Sequence, residues 1–576
     1  MRNTAAALLS KLRYATDINI INMKKKINAF AVLAVFFGLL FIIAPFESTA
    51  AYVPVTAPGG KVDSPETLIS ALGGEEAAYI SDSGVITYLS DIAVSAPIEI
   101  NGGEYTISGT GCHMTRKDGY NGSFFVVNGG KLTLGNEKGA NTHPSLTLDG
   151  SGDGDSLITV NSGELDIYIG TLLAGNTGSD KGGAILVSGG KVEIFNAKIE
   201  NCSAANGGAI AVLGGELISY GGDYQNNTAV RGGFVYIGAA GSFIAGQSVL
   251  SYDTAENGGA IYNEGSCTLS EIPLSYCKAS DKGGAVYNTG EFVMQGGYAA
   301  YNEANEAAVI WNSGSATINV SEFSMNEAVN YSAVYNIGSF TQIATTISNN
   351  TASESCCVYN GDDYVITEGS ISSNTAMVRF GGIINDGNFK VDSGSISSNK
   401  SKGDCQLGLA IVNRGKISLN DNAFLSFNND VLMIYGENSK PEVEITNTLT
   451  ANTPIITLTP AREDLLSENG FKTNYRLKEA LVTGELSEVE KLAVTVNGAF
   501  KYKINDKGRI SLDGIADNDE GKNLKIIVTG VCVIISAAAA AFVYVTVSRN
   551  KTEKKAKSNK VAEKDGKETT NTDDLE

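Results

Sequence analysis

Histidine is almost missing from this 576-residue chain, with only His113 and His143 present. No His or Cys group has metal-ligand spacing, which excludes a zinc-type centre as the organising feature. The eight cysteines, one of them Cys532 in a long apolar run, are too few for a disulfide framework. Cationic excess is also missing: the formal net charge is −20, whereas a nucleic-acid partner demands a basic face. Leucine is sparse, and the i, i+3, i+4, i+7 spacing of amphipathic helices does not appear, so leucine-rich and helical repeats are excluded.

A short phrase instead returns every 24 to 26 residues. It reads Gly182-Gly183-Ala184-Ile185, Gly207-Gly208-Ala209-Ile210, Gly232-Gly233-Phe234-Val235, Gly258-Gly259-Ala260-Ile261 and Gly283-Gly284-Ala285-Val286. Three later units keep the frame without glycines, as in Ala308-Val309-Ile310-Trp311-Asn312, and Phe380-Gly381-Gly382-Ile383-Ile384-Asn385 restores them. A second column with the same period holds Asn176, Cys202, Asn227, Asp253, Cys277, Asn302, Asn326, Asn350, Asn374 and Asn399. Side chains stacked at strand spacing, roughly 4.8 Å, can pass amide hydrogen bonds from coil to coil as a structural ladder. Between the columns lie short alternating runs such as Lys191-Val192-Glu193-Ile194, which is strand composition. The expected fold is all-β: a right-handed parallel β-helix of 12 to 14 coils, a rod on the order of 60 Å long. Cys202 and Cys277, three coils apart, are too distant to bond and read as small buried substitutes for Asn.

The Gly-Gly-Ala-Ile phrase paired with Phe323-Ser324-Met325-Asn326 resembles the repeats of chlamydial polymorphic outer-membrane proteins and adhesin-like β-helix proteins of the pectin-lyase-like type. The resemblance covers roughly residues 170 to 430. It implies a bacterial surface protein with adhesin-like binding. Those relatives resemble autotransporters that end in a β-barrel, whereas the C-terminal region here reads as a single helix.

Residues 1–50 read as a signal peptide, with a basic start at Met23-Lys24-Lys25-Lys26 and an apolar run from Ile27 to Phe46. Residues 51–92 form an N-terminal cap, in which Ser64 caps a helix over Pro65–Leu72 and Gly73-Gly74 ends it. Residues 93–435 carry the repeats, and 436–515 a terminal β-rich cap or stalk. A linker over 516–525 precedes residues 526–547, uncharged and long enough to cross a membrane. The basic-then-acidic tail, 548–576, then lies in the cytoplasm and the rod outside. No Leu-Pro-x-Thr-Gly signal precedes the helix.

Asp149, Asp153 and Asp155 form an acidic turn able to offer carboxylates to calcium, but the EF-hand register is missing, and no cofactor is expected. Asn360-Gly361-Asp362-Asp363 has the paired carboxylates of polygalacturonase-like enzymes without their Gly-His-Gly partner, so a polysaccharide-acting enzyme is the alternative to a non-enzymatic surface protein. Tyr236, Tyr262, Tyr287, Trp311, Tyr335 and Tyr359 occupy one repeat position in six successive coils. Strand alternation turns these rings outward if Ile261 points inward. They are either a stack that stiffens the sheet or a strip that contacts a glycan or a host-surface protein.

Overall fold

A computed structural model describes residues 54–512, apart from 136–144, 404–407, 426–429 and several short stretches between 437 and 501. The signal-peptide, linker, membrane-helix and tail assignments, and His143, lie outside the described residues. Among the described residues no helix is long and apolar enough to cross a membrane.

The chain winds into a parallel β-solenoid of about 14 turns. One coil shows the plan. Its first side is Ile261–Asn263, its second Ser266–Ser270, its third Pro273–Ser275 and its fourth Lys278–Lys282. Each side pairs in parallel with the same side of the next coil: Ile261 opposes Val286, Cys267 opposes Phe292, and Lys278 opposes Glu303. The first three sides merge into one 41-stranded sheet and the fourth forms a separate 10-stranded sheet. Inward residues stack as like on like, with Ile210, Val235, Ile261, Val286, Ile310 and Val334 fully buried in one column. Branched side chains suit this place because each meets the same pleated surface above and below.

The Gly-Gly phrase turns the chain from the fourth side to the first. Gly258 has φ +66, a left-handed conformation that L residues rarely adopt. A Cβ on Gly259 would lie 2.0 Å from the carbonyl oxygen of Gly284, so the coils could not close up. Where the motif lapses, Ala307 and Tyr331 take the left-handed place with φ 56 and 58. The pair Gly381-Gly382 is one residue out of frame. Val358 opposes Ile383 and Asn360 opposes Asn385, so Phe380, with φ 53, fills the first glycine's place.

Parallel pairing extends beyond residues 93 and 435 at the two ends. Val55–Ala57 already pairs in parallel with Ile92–Val94, so the cap region contributes a first coil. Inside it sits the short helix Pro65–Ala71, with Ser64 and Thr67 bonding reciprocally across its first turn. At the far end Glu442–Ile445 and Ile456–Arg462 continue the parallel stack beyond residue 435. An antiparallel hairpin of Tyr502–Ile504 and Ile510–Leu512 follows. A change from parallel to antiparallel pairing halts the winding, which spares the last coil a bare edge.

Candidate binding face

The six rings of the first side are in register. Successive centroids lie 5.6, 4.6, 4.4, 5.6 and 4.7 Å apart from Tyr236 to Tyr359, and their planes are within 26° of parallel. The column is bounded by Ala211 on one side and Ile384 on the other. Its tyrosines are half-buried and Trp311 is 9% exposed, with no acceptor for its indole N–H among the described residues. Two cations lean over the rings: Arg231 sits 5.6 Å from the Tyr262 centroid and Lys282 5.7 Å from that of Trp311. Tyr331 covers Tyr335 and Tyr359 from the same flank. The Tyr236 hydroxyl donates to Glu264 at 2.6 Å, and the Tyr359 hydroxyl to Asp386 at 3.1 Å. Burial, helped by Glu264, pushes the Tyr236 phenol up to about 12. Rings stacked this closely have their faces occupied by one another. What the column presents is a row of ring edges and hydroxyls, so an inner ring cannot stack on a sugar.

Beneath the rings runs a second amide ladder. Asn263 donates through Nδ2 to Oδ1 of Asn288, and the chain continues through Asn312, Asn336, Asn360 and Asn385 to Asn413, each bond 2.7 or 2.8 Å. All seven side chains are fully buried. This ladder had a sequence signal, the recurring Tyr-Asn pair, but Asn after a strand reads equally well as an ordinary turn residue. The ladder ends against the Met433 sulfur, 3.6 Å from Asn413.

The other column, at the corner between third and fourth sides, is hydrogen-bonded from Asn302 to Asn399. Both the backbone N–H and Nδ2 of Asn302 donate to Oδ1 of Asn326, and the pattern repeats at Asn326, Asn350 and Asn374. Before Asn302 the chain of bonds is broken. The backbone N–H groups of Cys202 and Cys277 donate to Oδ1 of Asn227 and Asn302, but their thiols donate to the backbone carbonyls of Glu200 and Ser275 and supply no amide group to the ladder. Asp253 receives two bonds from Asn227 on Oδ1, while its buried Oδ2 has no partner among the described residues. Asn176 begins the column, where the Arg116 guanidinium donates to its Oδ1 at 2.6 Å. All six described cysteines are buried and unbridged; burial pushes the Cys202 and Cys356 thiols up to about 12.

Just before each of these ladder residues the backbone is left-handed. Asn201 and Asn226 fill that place in early coils, but Tyr252, Tyr276, Tyr301 and Met325 fill it in four successive later ones, with φ 57 to 59. The three tyrosines stack at 4.9 and 5.0 Å and are 50%, 45% and 51% exposed. Bulky residues are outliers in this conformation. No single residue type marks the column, which is why the sequence pattern does not reveal it.

The remaining candidates are separate. Asp149 accepts from the Ser151 N–H, Asp153 from the Thr177 hydroxyl, and Asp155 offers only its carbonyl to Arg116 and Asn176. Among the described residues, the grouping of three acidic, His or Cys ligand atoms within 4.8 Å is Glu164, Asp166 and Glu193. There Lys131 already supplies the cation, 3.0 Å from Glu164 and 2.6 Å from Asp166. Glu164 belongs to an alternating charge ladder, Glu104, Lys131, Glu164, Lys191 and Glu216, paired in register across five coils. Asp362 and Asp363 lie exposed where the first side turns into the second, with Asp363 accepting from Asn388 at 2.9 Å.

Comparison with known proteins returns no match to a family model, a curated protein or a solved structure. The chain is a parallel β-solenoid.

Proposed function

We propose that this chain is a non-enzymatic, adhesin-like rod of a bacterial surface, tethered by residues 526–547 and binding a glycan or a surface protein along its first side. The resemblance of its repeats to chlamydial surface proteins belongs to the same proposal. The observation that carries it is the register of the six rings over a continuous amide ladder, which makes a rigid face whose contacts recur at every coil. Weak contacts on such a face add through effective concentration. Because ring faces are consumed by stacking, recognition falls to edges, phenol hydroxyls and the flanking cations.

Two variants of the full-length chain test this on glycan and extracellular-matrix arrays. One changes Tyr262, Tyr287, Trp311 and Tyr335 to Ala. The other changes Tyr262, Tyr287 and Tyr335 to Phe, which keeps the stack and removes only hydroxyls. Loss of a bound ligand in both, with unchanged circular dichroism, is the expected result. Retention of full binding by the two folded variants would place recognition elsewhere and leave the rings a stiffening role.

A further inference from the structure

Beside the ring column runs a column of another kind. The last residue of the fourth side, immediately before the turn, is Lys181, Asn206, Arg231, Asn257 and Lys282 in five successive coils, each opposite the next in the parallel sheet. Cation and amide alternate without exception until Glu306 ends the series. At roughly 4.8 Å per coil, the positive charges recur about every 10 Å. Lys181 and Arg231 are exposed, and among the described residues neither forms an ion pair. Among the described residues, the one ion pair of Lys282 is with its own neighbour Asp281, at 3.6 Å. Arg231 leans toward Tyr262 and Lys282 toward Trp311, each past the ring of the next coil, so these two cations border the ring column, while Lys181 extends the strip beyond its Tyr236 end.

We infer that this strip takes a linear acidic polysaccharide lying along the solenoid axis, with one carboxylate or sulfate per disaccharide. Such a chain presents an anion at every second sugar, matching a cation at every second coil. The intervening sugar meets Asn206 or Asn257, whose amides can both donate and accept toward hydroxyl or N-acetyl groups. Duplex nucleic acid, with a charge about every 1.7 Å, is far too dense for the pattern. Asp180, Glu256, Asp281 and Glu306 lie in or beside the column, and the whole chain carries −20. Attraction is therefore local, and binding weakens with salt as exposed contacts do. This inference rests on the binding-rod reading and names its ligand class.

The test uses the full-length chain in detergent micelles and immobilised hyaluronan, in which uronic acid and N-acetylhexosamine alternate. Polygalacturonate, charged on every sugar, and neutral dextran are the comparison probes. Hyaluronan is expected to bind best at low ionic strength. The triple variant K181Q/R231Q/K282Q should weaken it by about tenfold or more, while K198Q/K390Q/K416Q, on the second and third sides, should change it by less than about twofold. Both variants should keep the wild-type thermal melt. Unchanged binding by the folded triple variant, equal binding to dextran or polygalacturonate, or no binding to hyaluronan overturns the inference. If hyaluronan fails while an array ligand is lost on ring substitution, the rod still binds and only this ligand class is wrong. If no probe and no array ligand binds, both readings fall.

Discussion

Asp253 stands where its neighbours place Asn227 and Cys277, and it is the only acid in that buried column. Asn227 donates twice to Oδ1, while Oδ2 points where an amide nitrogen would sit and finds no partner among the described residues. Burial therefore raises the carboxyl well above its ordinary range, against the lowering effect of the bonds from Asn227. A raised folded value means that protonation favours the fold. The site costs nothing below about pH 4, and the cost grows as pH rises from there toward the raised value. Asp253→Asn is isosteric and supplies a donor at Oδ2's place. It should stabilise the protein by about 1–3 kcal/mol at pH 7 and by almost nothing below about pH 4. Urea midpoints across that pH range would read this, and equal midpoints at pH 7 would refute it.

At the scale of the element, the corners decide the winding. The first glycine of each Gly-Gly pair serves its backbone angle and the second serves clearance, so the two are not equivalent. Ala307 keeps the left-handed angle without a glycine, whereas its neighbour Ala308 does not have it. Ala307→Gly should gain about 0.5–1 kcal/mol and Ala308→Gly should lose a similar amount, since only the former relieves strain. Thermal melts of the two variants would check the sign, and a loss in both would show that the angle at 307 carries no strain. The repeat was legible because glycines with a fixed steric duty return at a fixed period. The frame of Gly381-Gly382 was not, because Phe380 tolerates the turn and shifts the glycines by one. The first coil was hidden for another reason: Val55–Ala57 and Gly60–Val62 are too short to show alternation. The ring column could be placed on the first side from strand alternation, but the contacts that Arg231, Lys282 and Tyr331 make with it from across the corner could not. The cation and amide alternation spans five coils and only becomes visible once the fourth sides are paired.

For the molecule as a whole, each coil touches only its neighbours, so stability is close to a sum of coil and interface terms. The interface terms are uneven. From Asn302 to Asn399 every corner residue both gives and accepts amide bonds, whereas Cys202, Asp253 and Cys277 interrupt that chain in the coils before. The interrupted stretch should open first, and repair should be cooperative. In Cys277→Asn alone, the new amide faces an Asp253 oxygen that has no proton to give at high pH. In Asp253→Asn alone, the new amide faces a thiol. Only the double variant places an amide donor against an amide acceptor and joins Asn227 to Asn399 in one ladder. Its gain should exceed the sum of the single gains by about 0.5–1.5 kcal/mol at a pH above the raised Asp253 value, the worth of one further buried hydrogen bond. Hydrogen exchange should show the added protection concentrated in residues 227 to 302 rather than spread along the rod. Simple additivity, or protection gained evenly everywhere, would mean that the two sites do not share a ladder.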